Sequence, residues 1–193
     1  MNRTDICNLA LDHLREAPIA SIDGRGAVEE WFQRNFDVVL NGVLRDHPWN
    51  FAITRVALAA ETTEPTFGWS YAYTQPADCL RLLPLRKNGD LNGHDFAYEI
   101  EGRLILTDEA GPLNIRYVAG QPDPSEWDAL FVEAMAAALA LKAAHWLTGK
   151  ASFTQMAKAL YDEALAKAKR IDGMEGPAER VYADDVILAR YSS

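Results

Sequence analysis

The sequence predicts an α+β fold: a helical bundle built from N- and C-terminal segments, with an antiparallel β module inserted between them. Three observations carry this. Apolar residues recur at helical spacing before residue 48 and again after about residue 124. Between roughly 50 and 119 that period gives way to short alternating stretches separated by turn residues. No helical period interrupts those stretches, as βαβ units would require. The expected division is 1–48 and 120–172 as a helical bundle, 49–119 as the β module and 173–193 as a C-terminal tail.

The first helix is expected over Thr4–Glu16, where Ile6, Leu9, Ala10, His13 and Leu14 follow the i, i+3, i+4 rule and Thr4 stands as the cap. "APIASIDGRG" breaks the period with Pro18, Gly24 and Gly26, and its Ile19 and Ile22 are placed to tuck under a helix. From Ala27 to Asp46 the series Val28, Trp31, Phe32, Phe36, Val39, Leu40, Val43 and Leu44 keeps helical period. Pro48 ends it by pushing His47 out of the α region.

"DHPWNFAITRVAL" (Asp46–Leu58) therefore poses a choice between a reactive histidine and a joint between two kinds of structure. His47 has no partner within reach in the sequence, whereas Pro48 stops a helix and Trp49 and Phe51 are apolar anchors. The joint, made of His47, Pro48, Trp49 and Phe51, is the expectation, and Trp49 is expected to be structural.

Strands are expected at Phe51–Leu58, at "FGWSYAY" (Phe67–Tyr73) and at Leu80–Leu85, the last limited by Pro84. "KNGDLNGHD" reads as a polar loop. "YEIEGRLILT" is the clearest hairpin, with Tyr98 and Ile100 facing Leu104 and Leu106 across a Glu101-Gly102 turn. "LNIRYV" (Leu113–Val118) is the last strand. Helix resumes at "DPSEWDALF", where Asp123 caps, Pro124 takes the first helical position and Glu126 closes a capping box. It runs to Leu147 and stops at Thr148-Gly149. A further helix is expected from Ser152 to about Ile171. Ala134, Ala136, Ala137, Ala138, Ala140, Ala143 and Ala144 favour tight helix packing, within or between subunits.

The chain has 193 residues, 49% hydrophobic, enough for one good core or two small ones. Its net charge of −9 argues against a module that grips nucleic-acid phosphates. The segment 61–123 is the most acidic third, with ten acidic and five basic residues. Ala134–Leu141, the longest apolar run, is short of the roughly 20 residues that span a bilayer. Arg3, Asp5 and Asp12 occupy the place of a secretory apolar region, so a soluble, intracellularly made protein is expected.

Chemistry is sparse. Cys7 and Cys79 belong to no metal or disulfide pattern and are expected to be free thiols. His13, His47, His94 and His145 show no HxH or HExxH spacing. "GDLNGHD" lacks the spacing and closing glutamate of an EF-hand. No GxSxG elbow, Walker loop or facing carboxylate pair is present. The expectation is a non-enzyme without cofactor or metal, an assembly part.

"ICNLALDHL", "LRDHPWNFA", "RVALA", "GWSYAYTQPADCLRLL", "YEIEGRLILT", "IRYV", "WDALFVEAMAAALALKAA" and "YDEALAKAK", in this order, resemble the tail tubular protein A family of short-tailed phages, which are head-to-tail adaptors. The match runs from Ile6 to about Lys169, and "HPWNFA" and "YTQPADCLR" are its most specific parts. The resemblance implies a virion protein made in the host cytoplasm, without a membrane. It implies a homo-oligomeric ring of twelve subunits between the portal protein and the tail nozzle, a tail tubular protein B-like partner. Tail fibres are further possible partners. The bundle would build the ring, the β module would face nozzle or fibres, and DNA would pass through the centre without sequence-specific binding. The C-terminal segment, with Arg180, Tyr182, Ile187, Arg190 and Tyr191, would dock on the portal. An acidic lumen would let DNA slide without sticking. The alternative is another phage-type connector, of a long-tailed phage or gene transfer agent, or a fibre-docking module without catalysis.

Overall fold

The computed structural model describes residues 1–89, 93–120 and 122–175. Four helices and six strands follow in the order α1 (Arg3–Leu14), α2 (Ala27–Asp46), β1 (Ile53–Leu58), β2 (Tyr71–Thr74), β3 (Cys79–Leu82), β4 (Tyr98–Glu101), β5 (Leu104–Thr107), β6 (Leu113–Ala119), α3 (Ala129–Thr148) and α4 (Ala151–Glu175). The fold class is α+β. The strands form two three-stranded sheets, ordered β1-β6-β3 and β2-β5-β4.

The described chain divides into two compact units. The helical unit comprises Met1–Thr54, Pro76–Leu83 and Tyr117–Glu175; the other comprises Arg55–Gln75 and Pro84–Arg116. Pro76–Leu83 and the end of β6 thus pack with the helices, because Leu83 and Val118 are buried in the helical core and Leu80 lies against it.

In the helical unit α3 is central, and it contacts α1, α2 and α4. All seven alanines singled out from the sequence are buried, which lets neighbouring backbones approach closely. Ile6, Leu11 and Leu14 of α1, Phe32, Phe36 and Leu40 of α2, and Phe131 and Met135 of α3 fill the rest of the core. The close packing of the alanines is satisfied within the chain. With 20 residues, α3 is long and apolar enough to cross a bilayer, which the shorter run at 134–141 did not reveal; most of it is buried here.

The helix ends depart from expectation where a side chain has a better partner. Asn2, not Thr4, caps α1: the Asp5 amide donates to Asn2 Oδ1 and the Asn2 amide to Asp5 Oδ2, both at 2.9 Å. Thr4 Oγ1 instead accepts from the Ile22 amide at 3.1 Å, and Asn8 exchanges two hydrogen bonds with the Ile19 backbone. These bonds hold the loop so that Ile19 and Ile22 are buried. Asp123 caps only a single 3-10 turn, Pro124–Glu126. Trp127 then turns extended to bury its ring against Phe36 and Phe131, and the helix restarts at Asp128, whose carboxylate accepts from Leu130 and Phe131 amides. Gly149, at φ +64, ends α3 in the left-handed conformation as expected. The last helix starts at Ala151 and runs beyond Ile171 to Glu175.

In the second unit the hairpin β4–β5 forms one residue later than expected. Glu101 pairs with Leu104, so the turn is Gly102-Arg103, and Gly102 takes φ +60. Tyr98 faces Thr107 and Ile100 faces Ile105. β2 pairs antiparallel with β5 and is shorter than the alternating pattern predicts. Gly68, at φ +86, and the largely exposed Phe67 precede it in a loop. Tyr73, Ile105, Leu85, Leu113 and Ile115 are buried in this unit, and the Tyr73 hydroxyl donates to the Glu109 carbonyl at 2.8 Å.

Because Asp128 satisfies two first-turn amides of the core helix, Asp128→Ala is expected to cost about 1 kcal/mol. Urea unfolding of the variant checks this through a lowered midpoint at unchanged slope.

Candidate functional site

A dense set of directed contacts gathers at the joint after α2. A helix end leaves its last four carbonyls without intrahelical partners. Here two of them are taken by side chains from beyond the helix. The Trp49 indole donates to the Val43 carbonyl at 3.0 Å, and Arg81 Nη1 donates to the Arg45 carbonyl at 3.1 Å. Arg45 in turn donates to the Leu80 carbonyl, so α2 and β3 are laced in both directions.

His47 is extended, at φ −145 and ψ 146, as a residue before proline must be. That turn sends Trp49 inward to 1% exposure. Its ring meets Phe131 edge-on at 4.9 Å between centroids; Phe51 and Trp127 do the same at 4.8 and 5.1 Å. Phe131 is therefore the common floor of three aromatic side chains, each contact adding to plain area burial.

The expectation that His47 lacks a partner is corrected by α4. Asp172, 125 residues away, accepts from His47 Nε2 at 2.9 Å through Oδ2 and from the Asn50 amide at 3.0 Å through Oδ1. Its carbonyl accepts from Asn50 Nδ2 at 2.7 Å. Asp172 is a buried charged residue, and both carboxylate oxygens are used to hold the joint. Lys169 adds a more exposed ion pair with Asp46 at 2.7 Å, which contributes little by itself.

A His–Asp pair is the ingredient of acid–base catalysis only when a reacting group lies within reach. Here the His47 ring packs against Trp49 at 4.8 Å and its Nε2 is spent on Asp172. Among the described residues no group of three His, Cys, Asp or Glu is placed to hold a metal. The arrangement fixes the backbone on both sides of Pro48.

The second specific stretch, "YTQPADCLR", is likewise spent on structure. Within the helical unit the Asp78 carboxylate accepts from the Tyr117 hydroxyl at 3.1 and 3.3 Å, and the Asp78 carbonyl from the Gly120 amide at 2.7 Å. Burial, reinforced by the bond to Asp78, pushes the Tyr117 phenol up to about 12. Burial also pushes the Cys7 thiol up to about 12, against a smaller opposing pull from Arg3, so Cys7 is an inert core thiol. Among the described residues, none of His13, His94 and His145 joins His47 in a group of three side chains that could hold a metal. Arg180, Tyr182, Ile187, Arg190 and Tyr191 lie outside the described residues.

No protein-family model matches the chain, and no curated protein is significantly similar to it.

Trp49→Ala is expected to destabilise by about 3 to 5 kcal/mol, and Asp172→Ala by about 1 to 3 kcal/mol because it strands the Asn50 and His47 donors. Chemical denaturation measures both. The raised Tyr117 value means that its contribution is full below about pH 10, where the phenol is neutral in both states, and is lost as pH rises toward about 12. Stability should therefore fall more steeply over that window in the parent chain than in Tyr117→Phe, as followed by thermal midpoints.

Proposed function

We propose that this chain is a head-to-tail adaptor of a phage virion, an assembly part that joins a portal to a tail nozzle and catalyses nothing. The observation that carries the reading is the use made of the two stretches most specific for the resemblance. "HPWNFA" and "YTQPADCLR" contribute anchors, helix-end partners and a buried carboxylate contact instead of a reactive group. Residues spent on such contacts suit a protein whose product is a shape. The combination of a tightly packed helical unit with a separate β-rich unit supports the same reading, since an adaptor must bind itself and unlike neighbours above and below.

On this reading the helical unit builds the ring of twelve, the β-rich unit faces nozzle or fibres, and 180–193 docks on the portal. The net charge of −9 per subunit suits a channel through which DNA slides, because like charges repel phosphates. No cofactor or membrane enters the scheme.

Electron microscopy of the purified chain mixed with a portal protein from the same genome tests the proposal. A closed ring on the portal is the expected result; a chain that stays monomeric and unattached contradicts it. Deleting Arg180–Ser193 should abolish attachment while leaving the helical circular dichroism nearly unchanged, since the four helices among the described residues lie within Arg3–Glu175.

A further inference from the structure

The β-rich unit contains a groove of about 510 Å³ that the contacts described above leave unused. The register of β2, β5 and β4 builds its floor. Ala72, Leu106 and Glu99 form one cross-strand row, and Thr74, Leu104 and Glu101 the next, on the same sheet face. The segment 61–69 supplies the opposite wall with Pro65, Phe67 and Trp69.

Two features of this groove point to the same occupant. Its ionisable lining residues are all glutamates, Glu61, Glu64, Glu99 and Glu101, with no Lys, Arg or His among the lining residues to balance them. Glu99 accepts from the Trp69 indole at 3.2 Å and Glu61 from the Thr74 hydroxyl at 2.5 Å, so each retains acceptor capacity. The lining is also substantially apolar, and Phe67 stands 86% exposed at its wall. A large apolar side chain left in water beside a leucine floor marks a surface that gains from being covered. Nucleic acid is repelled by the carboxylates, and a bare cation leaves Phe67 and the half-buried Leu104 unused. Lysine and arginine side chains match both features, because their stems lie along apolar surface while their cationic ends reach carboxylates or an aromatic face.

We propose that this groove binds an extended segment of a partner protein in which lysine or arginine alternates with apolar residues. Binding is read on the purified chain and does not depend on ring formation, so the adaptor reading and this one fail separately.

The test uses a fluorescein-labelled hexapeptide of alternating Lys and Leu, followed by anisotropy, with a Glu-Leu peptide, a Lys-Gly peptide and spermidine as comparisons. Saturable one-to-one binding of the Lys-Leu peptide is expected, weakening as salt is raised. The exposed double substitution Glu99→Gln with Glu101→Gln should weaken it about tenfold or more, and Trp69→Ala should weaken it as well. Glu163→Gln, on α4 in the helical unit, should leave it unchanged. The proposal is overturned by absence of saturable binding up to about 1 mM or by an equal loss in Glu163→Gln, which would indicate general attraction to an acidic chain. Equal binding of the Lys-Gly peptide or spermidine also overturns it, because then the apolar floor takes no part.

Discussion

The end of α2 is the constraint on which the helical unit depends. Four carbonyls at a helix C-terminus need partners, and most helices use glycine or water for this. Proline at 48 closes the glycine route, since it forces His47 into an extended conformation and directs the chain away from the axis. The carbonyls of Val43 and Arg45 are then met by Trp49 and Arg81. Stopping the helix, burying the largest side chain in the core and attaching β3 are consequently one event. Asp172 completes it from α4 by holding His47 and Asn50. Removal of any member leaves polar groups in a place that water reaches poorly, which costs more than the bond itself is worth.

This explains how a histidine, a proline and a tryptophan in succession come to look like a reactive site and work as a fastening. Catalysis requires a group whose protonation state or nucleophilicity is free to change against a substrate. At the joint, His47 Nε2, the Asn50 amide and both Asp172 carboxylate oxygens are committed to one another. The groove in the β-rich unit differs in kind, because its carboxylates and its exposed phenylalanine are only partly engaged.

Much of the fold was legible because local rules and tertiary packing agree there. The bounds of α2 and the stop at Gly149 follow from period, proline and glycine, and so does the presence of the β4–β5 hairpin, whose turn lies one residue later than the local pattern places it. Reading failed where burial outweighed a local signal. The pattern after Asp123 is a sound helix start, yet the chain breaks at Trp127 because the indole gains more by packing on Phe131 than the helix gains by running straight through. The aromatic alternation at 67–73 resembles a strand, but Gly68 takes a left-handed conformation and pairing begins only at Tyr71. The end of α2 before Pro48 was legible. The joint's partners Asp172 and Phe131 were not, because no rule of spacing connects residues brought together from different helices by the packing of the whole unit.

The claim that the joint is a fastening is tested most directly by native-state hydrogen exchange, read residue by residue, at the Trp49 indole and the Asn50 amide. Both protons are predicted to exchange only when the whole helical unit unfolds, with the same free energy as its most protected core amides. Exchange at rates near those of an open loop would contradict the account, since it would show a segment that moves independently of the core it is supposed to hold.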